Sequence, residues 1–258
     1  MTGRVTLIGG GPGRDDLLTL AAVRALAEAD VVLFDRLAPH ERLAELAPHA
    51  ELVDVGKRPG HHAVPQSEIE ALLVEHALAG GHAVRLKGGD PYVLGRGSEE
   101  VLACHHAGVQ VEVIPGVTSA VAVPGAAGSP LTHRGVSHLF TVVSGHAPLT
   151  DTELAHLAGL GGTIVVLMGV NSLPSLTAGL ARHGLPAGMP VAIIERGFHA
   201  DQRTTIGDLT GIVVAAGRAH VTSPAVVVVG EVVRLAHDGD ASAAELMERA
   251  AGFGAVTP

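Results

Sequence analysis

Val5-Thr6-Leu7-Ile8-Gly9-Gly10-Gly11-Pro12-Gly13 is a β-branched run that passes into a glycine-rich turn. The pattern predicts a short buried strand at Val5–Ile8, and an amphipathic helix at Leu17–Ala29 follows the turn. Glycine allows the backbone to take positive φ, and a helix start offers unpaired N–H groups. The turn is therefore a candidate ligand site. The alternative is a tight strand-to-helix turn that binds nothing.

This turn differs from two common nucleotide-binding motifs. In the dinucleotide fingerprint G-x-G-x-x-G the third glycine would fall at position 14, which is Arg14. No Lys-Ser or Lys-Thr pair follows, as a P-loop requires. The turn therefore matches neither of these two motifs.

Eight further apolar runs predict buried strands, and amphipathic segments between them predict helices. The strands are Val31–Phe34, Leu52–Val55, Ala83–Leu86, Val111–Ile114, Phe140–Val143, Thr163–Met168, Val191–Ile194 and Val226–Val229, and the helices include Ile69–Ala79, Glu153–Leu160 and Leu173–His183. Capping-box spacing predicts helix starts at Ser67 with Glu70 and at Thr150 with Glu153, and Gly184 predicts a helix end. The fold class is therefore α/β.

The stretch Pro115–Arg134 is rich in Gly, Ala, Ser and Pro and separates five strand candidates from four. It predicts a junction between two α/β domains, residues 1–130 and 131–258. The tail after His237 is polar and Ala-rich and carries no functional signal.

Composition excludes several function classes. With a net charge of -9 and 2% aromatic residues, the chain lacks the basic field and the stacking surfaces of a nucleic-acid binder. Every apolar run is interrupted well before the ~18 residues that a membrane-spanning helix needs. Met1–Arg4 leads directly into a strand without signal-peptide order, so we expect a cytoplasmic protein.

Cysteine and histidine usage does not indicate a metal site or a nucleophile. The one cysteine, Cys104, excludes an intrachain disulfide and is expected to be structural. Of sixteen histidines, the pairs His61-His62 and His105-His106 point apart on a helix or strand, and no metal-binding spacing occurs.

A second motif runs from Arg85 to Gly97 and contains Gly88-Gly89-Asp90 directly after a strand. Open α/β sheets bind ligands at the carboxyl ends of their strands. A carboxylate there can accept hydrogen bonds from an ammonium group or a ribose hydroxyl. The alternative is a loop with a structural role only.

A small group of cations, several of which stand directly after strands, occurs in a chain that has only 17 lysines and arginines. They are Arg36, Lys57, Arg58, Arg96 and Arg134. Guanidinium groups suit carboxylates and phosphates, so these residues could bind a polyanion. The alternative is ordinary surface ion pairing with the 26 acidic residues.

Blocks that carry a family resemblance run from Val5 to about Val233. They are Gly9–Gly13 with Leu17-Leu18-Thr19-Leu20, Ala29–Leu37, Val55-Gly56-Lys57-Arg58, His61-His62, Val64-Pro65-Gln66, Arg85–Gly97, Ile114–Ala120, Pro130–Gly135, Met168-Gly169 and Gly230–Val233. Together they resemble the tetrapyrrole methylase family. The Asp-Arg-Leu, Val-Gly-Lys-Arg, Val-Pro-Gln and Leu-Thr-His-Arg-Gly blocks resemble its uroporphyrinogen III C-methyltransferases in particular.

The resemblance implies two α/β domains with S-adenosyl-L-methionine in the cleft between them, usually in a homodimer. It implies that the cofactor-binding residues are Pro12, Gly88, Gly89, Asp90, Val93, Thr118, Ser119, Met168 and Gly197. Asp35 and Lys57 match the residues assigned to proton transfer, although Lys57 could equally be only a substrate anchor. Arg36, Arg58, Arg96 and Arg134 are then the candidates for substrate carboxylates.

The implied reaction is methylation of uroporphyrinogen III at carbons 2 and 7 to precorrin-2, on the route to siroheme and cobalamin. The length leaves no room for a siroheme synthase's extra module, so a stand-alone methyltransferase is expected. The alternatives are a later corrin-pathway methyltransferase such as the precorrin-4 enzyme, an rRNA or diphthine methyltransferase, and a non-catalytic tetrapyrrole-binding protein. The specific blocks, the charge and the intact Asp35 and Gly88-Gly89-Asp90 argue against these alternatives.

Overall fold

A computed structural model describes residues 2–56 and 64–236 of the chain. The chain divides into two units, Met1–Ser119 and Ala120–Pro258, each with one five-stranded sheet. The division falls inside the glycine- and proline-rich stretch Pro115–Arg134. Lys57 and Arg58 lie outside the described residues.

The first unit contains a parallel sheet in the order β3-β2-β4-β1-β5. Its strands are β1 (Arg4–Gly9), β2 (Val31–Phe34), β3 (Glu51–Asp54), β4 (His82–Lys87) and β5 (Gln110–Ile114), and its helices are α1 (Leu20–Ala27), α2 (Leu43–Leu46), α3 (Gln66–Leu78) and α4 (Gly97–His106). A 3-10 turn at Asp15–Leu17 precedes α1. Because all strands are parallel, their carboxyl ends and following loops share one edge of the sheet.

The apolar core of this unit has two layers, one on each face of the sheet, because successive strand residues point to opposite faces. Leu7 and Leu33 pack with Leu73 of α3 on one face, whereas Ile8 and Val32 belong to the cluster on the other face. This alternation follows from the two-residue period of a strand. Both faces are covered, which explains why the strands are apolar runs rather than alternating ones.

The second unit contains a mixed sheet in the order β6-β7-β10-β8-β9. Its strands are β6 (Phe140–Ser144), β7 (Thr163–Leu167), β8 (Pro190–Glu195), β9 (Arg203–Asp208) and β10 (Ala225–Val229), and its helices are α5 (Ser119–Ala126), which begins at the boundary, α6 (Asp151–Leu160), α7 (Leu173–Arg182) and α8 (Ile212–Arg218). Only β6 and β7 pair in parallel, and the three other strand pairs are antiparallel. A 3-10 turn covers Glu231–Leu235.

The predicted α/β fold class and the nine predicted strands are confirmed, with strand ends that move by about one residue. The tenth strand, β9, was missed. It lies at a sheet edge and contains one large apolar residue, Ile206, which is 51% exposed, so no buried-strand pattern marks it. Helix α5 was also missed, because Pro124 and a glycine inside it resemble linker composition.

Two of the three predicted helix-end signals are confirmed. Thr150 and Glu153 form the expected capping box, and Gly184, with φ +98°, follows the end of α7. The cap at Ser67 is wrong, because α3 begins one residue earlier, at Gln66. The carbonyl of Pro65 already accepts the N–H of Ile69 at 3.1 Å, so Ser67 lies inside the first turn.

Within the described residues, no helix is both long and apolar enough to cross a bilayer. Cys104 is fully buried in α4. Burial, with the carboxylates of Glu100 and Glu70, raises the pKa of the Cys104 thiol to about 11. A thiol in this state is a poor nucleophile, in agreement with the expected structural role.

Candidate functional site

Three of the predicted motif loops meet at the carboxyl edge of the first sheet, because β4, β1 and β5 are neighbours there. The turn after β1 and the turn after β4 form an isolated bridge between Gly11 and Gly89. The Gly11 N–H donates to the Gly89 carbonyl at 3.1 Å, and the Gly89 N–H donates to the Gly11 carbonyl at 2.7 Å. The two glycine motifs, far apart in sequence, are thus one backbone structure.

The glycines at this junction are required by the close approach of the loops. A Cβ on Gly116 would lie 2.4 Å from the Gly89 carbonyl oxygen and 2.5 Å from the Gly9 carbonyl carbon. A Cβ on Gly9 would lie 2.4 Å from the Gly116 nitrogen. Gly89 itself has φ +68°, which favours glycine. These glycines therefore have a structural role whether or not the turn also binds a ligand.

Asp90 ties the loop after β4 to the loop after β5. Its Oδ1 accepts the Tyr92 N–H at 2.8 Å, and its Oδ2 accepts the Gly116 N–H at 3.0 Å. The carboxylate is half-buried, and its two oxygens have about four acceptor positions, so capacity remains for a ligand donor. Pro12, Val93 and Thr118 are half-buried in the loops after β1, β4 and β5, and Ser119, also half-buried, begins α5.

Asp35 follows β2 and contacts the Gly88-Gly89-Asp90 turn, which the family resemblance predicts to bind the cofactor. Its Oδ1 accepts the N–H groups of Leu37 at 3.2 Å and Gly88 at 3.3 Å. Its Oδ2 accepts the Arg85 guanidinium at 3.3 Å, and its side chain is 29% exposed. The structure thus places the candidate proton acceptor against the Gly88-Gly89-Asp90 turn, with part of the carboxylate open to solvent.

A buried charge network underneath Asp35 was missed by the sequence reasoning. Glu100 of α4, fully buried, accepts through Oε1 from Arg85 Nε at 3.1 Å and from Lys87 Nζ at 2.9 Å. Burial, then the charge of Arg85, lowers the pKa of Lys87. The signal was available, because two cations two residues apart in a buried strand must share one face and need a buried anion.

The predicted substrate cations differ in their partners. Arg96, with φ +58°, pairs with Glu99 of its own helix at 2.7 Å and 2.8 Å. Arg36 and Arg134 are exposed and have no carboxylate partner among residues 2–56 and 64–236. The ion-pairing alternative therefore applies to Arg96, whereas Arg36 and Arg134 are available to an external anion.

Two predicted cofactor residues lie in the second unit, each directly or shortly after a strand. Met168 follows β7, has φ +58° and is 46% exposed. Gly197 follows β8 between two residues of positive φ, Arg196 and Phe198. A Cβ on Gly197 would lie 2.6 Å from Val123 of α5, so packing alone requires a glycine there. Their cofactor roles stay predictions.

The buried carboxylate of Glu195 accepts several hydrogen bonds beside this turn. Glu195, fully buried at the end of β8, accepts from Arg203 at 2.5 Å and 2.9 Å and from the Thr222 N–H at 2.9 Å. Hydrogen bonding to these partners, against the cost of burial, holds the pKa of Glu195 below its usual range. In the described part of the chain, no cluster of three His, Cys, Asp or Glu side chains could hold a metal ion.

Comparison with known proteins identifies the family to which this chain is similar. Residues 4–213 match the profile of the Tetrapyrrole (Corrin/Porphyrin) Methylases. The chain is 46% identical to the S-adenosyl-L-methionine-dependent uroporphyrinogen III methyltransferase of Methanosarcina barkeri, over 92% of this chain and 94% of that one. It is 45% identical to a siroheme synthase of Gluconacetobacter diazotrophicus and spans 50% of that relative's length.

A solved structure gives the same result. The uroporphyrin-III C-methyltransferase of Thermus thermophilus, crystallised with S-adenosyl homocysteine, is 46% identical with a TM-score of 0.76, over 90% of this chain and all of that one. The profile covers most of the chain, and several relatives exceed 40% identity along nearly its whole length. The chain belongs to the tetrapyrrole methylase family.

Proposed function

We propose that this protein transfers methyl groups from S-adenosyl-L-methionine to carbons 2 and 7 of uroporphyrinogen III, giving precorrin-2 and two molecules of S-adenosyl-L-homocysteine. One observation carries the proposal at the level of the site. The Asp35 carboxylate accepts the Gly88 N–H at 3.3 Å, which joins the candidate proton acceptor to the candidate cofactor turn. The names of the close relatives support the same reaction.

The residues of the first unit fit the methyl donor. The turns at Gly9–Gly13, Gly88–Asp90 and Gly116–Ser119 are held together by their own backbone hydrogen bonds, and Asp90 adds a carboxylate with acceptor capacity left. Such a carboxylate suits ribose hydroxyls and an ammonium group. When bound, the cofactor supplies an electrophilic methyl group on its sulfonium sulfur. Pro12, Val93, Thr118, Ser119, Met168 and Gly197 complete the proposed set.

The chain's own contribution is alignment, charge neutralisation and proton removal. A pyrrole carbon attacks the methyl group in line, the carbon–sulfur bond breaks, and a proton must then leave the substrate. Asp35, whose carboxylate is held by three hydrogen bonds and partly exposed, accepts that proton. Lys57 is proposed to assist the proton transfer, with an anchoring role as the alternative.

Uroporphyrinogen III carries eight carboxylates, whereas the protein has a net charge of -9. Local cations must therefore offset the repulsion where the substrate docks. Arg36, Arg58 and Arg134 are proposed for this role, and Arg96 is proposed to join them by exchanging its bond to Glu99 for a substrate carboxylate. We further propose that the protein is a homodimer in the cytoplasm and that its product feeds siroheme or cobalamin synthesis.

Incubation with S-adenosyl-L-methionine and uroporphyrinogen III under reducing conditions tests the function directly. Mass analysis of the product should find a gain of two methyl groups, with two equivalents of S-adenosyl-L-homocysteine released. A tetrapyrrole recovered without added methyl groups overturns the proposal. A single added methyl group overturns the assignment of both carbons to this enzyme.

Asp90→Ala should weaken the binding of S-adenosyl-L-homocysteine at least about tenfold, as loss of a charge-assisted hydrogen bond does. The change also removes the two N–H bonds that join the loops at Tyr92 and Gly116. Calorimetric titration measures the affinity. Asp208→Ala is a matched control, since Asp208 also accepts two loop N–H groups, of Thr210 and Gly211. An unchanged affinity in folded Asp90→Ala would remove Asp90 from the cofactor site.

Arg36→Ala and Arg134→Ala should each lower kcat/KM for uroporphyrinogen III by about ten- to a hundredfold, equivalent to ~1.5–3 kcal/mol per charge-assisted hydrogen bond. The loss should be mainly in KM, with a weaker dependence on salt. Arg42→Ala is the control, because Arg42 already pairs with Asp15 and Glu45. If steady-state kinetics give all three variants the same kcat/KM, the docking assignment is wrong.

A further inference from the structure

The buried network of Arg85, Lys87, Glu100 and Asp35 connects the interior of the first unit to the candidate site. Arg85 and Lys87 are 4% and 5% exposed, and Glu100 is fully buried. Two cations and one carboxylate in an apolar interior are expensive unless each is paired. Asp35, the fourth member, is the only one of the four with substantial exposure.

Arg85 lies between the two carboxylates. Its Nε donates to Glu100 and its Nη2 donates to Asp35, while its Nη1 donates to the carbonyls of Leu86 at 3.0 Å and Leu33 at 3.3 Å. A planar guanidinium with these four bonds has little freedom to rotate. The position of Asp35 Oδ2 is therefore set by a group whose other end is held by Glu100.

Glu100 is the most deeply buried of the four residues in this network. Its Oε1 is shared by Arg85, Lys87 and Gln66, at 3.1, 2.9 and 3.3 Å. Its Oε2 has no hydrogen-bond partner among the described residues. A single carboxylate oxygen thus anchors both buried cations, and no second acidic side chain of the described chain pairs with Lys87.

We propose that Glu100 is a positioning residue for the reaction: by anchoring Arg85, it holds the Asp35 carboxylate in the orientation that accepts the substrate proton. This inference rests on the proposed function of Asp35. Glu100 is buried and acts only through Arg85. Its loss should therefore slow the chemical step and leave the binding of both substrates nearly unchanged.

Glu100→Gln tests the proposal because the amide keeps nearly the same shape and an oxygen for Arg85, but loses the charge that makes this bond a strong anchor. We expect kcat at saturating substrates to fall at least tenfold, with KM for uroporphyrinogen III and the affinity for S-adenosyl-L-homocysteine within about threefold of the unaltered protein. In an Asp35→Asn background, Glu100→Gln should lower kcat less than twofold further, because both changes act on the same step.

The double variant Glu100→Gln with Lys87→Met separates positioning from charge imbalance. It removes one anion and one cation together, so the buried net charge is unchanged, and we expect this variant to fold even if Glu100→Gln alone is unstable. If the loss of kcat persists, its cause is the weaker anchor of Arg85, as proposed, and not the charge imbalance. Recovery of full kcat, or a further tenfold loss from Glu100→Gln in the Asp35→Asn background, overturns the proposal.

The same variants distinguish a failure of the positioning role from a failure of the proposed function. If Asp35→Asn keeps full kcat, the proposed proton acceptor itself is wrong. A low kcat for Asp35→Asn, combined with full kcat for both Glu100 variants, overturns only the positioning role.

Discussion

Asp35→Asn should lower kcat by about a hundred- to ten-thousandfold, the range that a positioned general base contributes. Asparagine keeps the size of the side chain and an oxygen that can accept the N–H groups of Leu37 and Gly88, whereas its NH2 group replaces the oxygen that accepts from Arg85. It cannot accept a proton from the methylated pyrrole. Steady-state kinetics at saturating concentrations of both substrates measure the loss.

The affinity for S-adenosyl-L-homocysteine and the unfolding midpoint are the controls for Asp35→Asn. Both should stay close to those of the unaltered protein, because asparagine can still accept the Gly88 N–H and Arg85 keeps Glu100 as its anionic partner. Lys57→Ala distinguishes the two roles of that lysine: a loss of kcat at saturating substrate indicates proton transfer, and a rise in KM alone indicates an anchor. An Asp35→Asn variant with unchanged kcat would contradict the assignment.

Gly116→Ala should destabilise the protein by about 3 kcal/mol, the upper part of the usual range for overpacking. The added Cβ would lie 2.4–2.5 Å from backbone atoms of Gly89 and Gly9. These backbone atoms are held at the carboxyl edge of the parallel sheet, so they cannot move aside as the end of a side chain can. Separation of the loops should also break the bond from the Gly116 N–H to Asp90. We therefore expect a lower denaturant midpoint and weaker S-adenosyl-L-homocysteine binding in the same variant.

Gly159→Ala is the matched control for Gly116→Ala. Gly159 lies in α6, is exposed, and would place a Cβ with nothing within 4 Å. Alanine there should be neutral or stabilise the helix by roughly 0.5–1 kcal/mol. Equal midpoints for the two variants would contradict the close loop junction.

Local sequence patterns were sufficient for the strands and most helices. Runs such as Val31–Phe34 and Val226–Val229 are buried on both faces, so β-branching and length mark them without any tertiary information. The Thr150 capping box depends on contacts three residues apart and was equally readable. Strand β9 was not, because an exposed edge strand needs no apolar face.

By itself, the sequence determined the fold class, the glycine turns, the family blocks and the residue types of the candidate site. Only the tertiary structure decided which of those residues meet. Asp35 contacts Gly88 across 53 positions, and Asp90 contacts Gly116 across 26, because the order β3-β2-β4-β1-β5 makes neighbours of strands that are distant along the chain. The anchoring of Arg85 and Lys87 by Glu100 arises in the same way: burial forces charges to pair, but which anion is in reach depends on how α4 packs against the sheet.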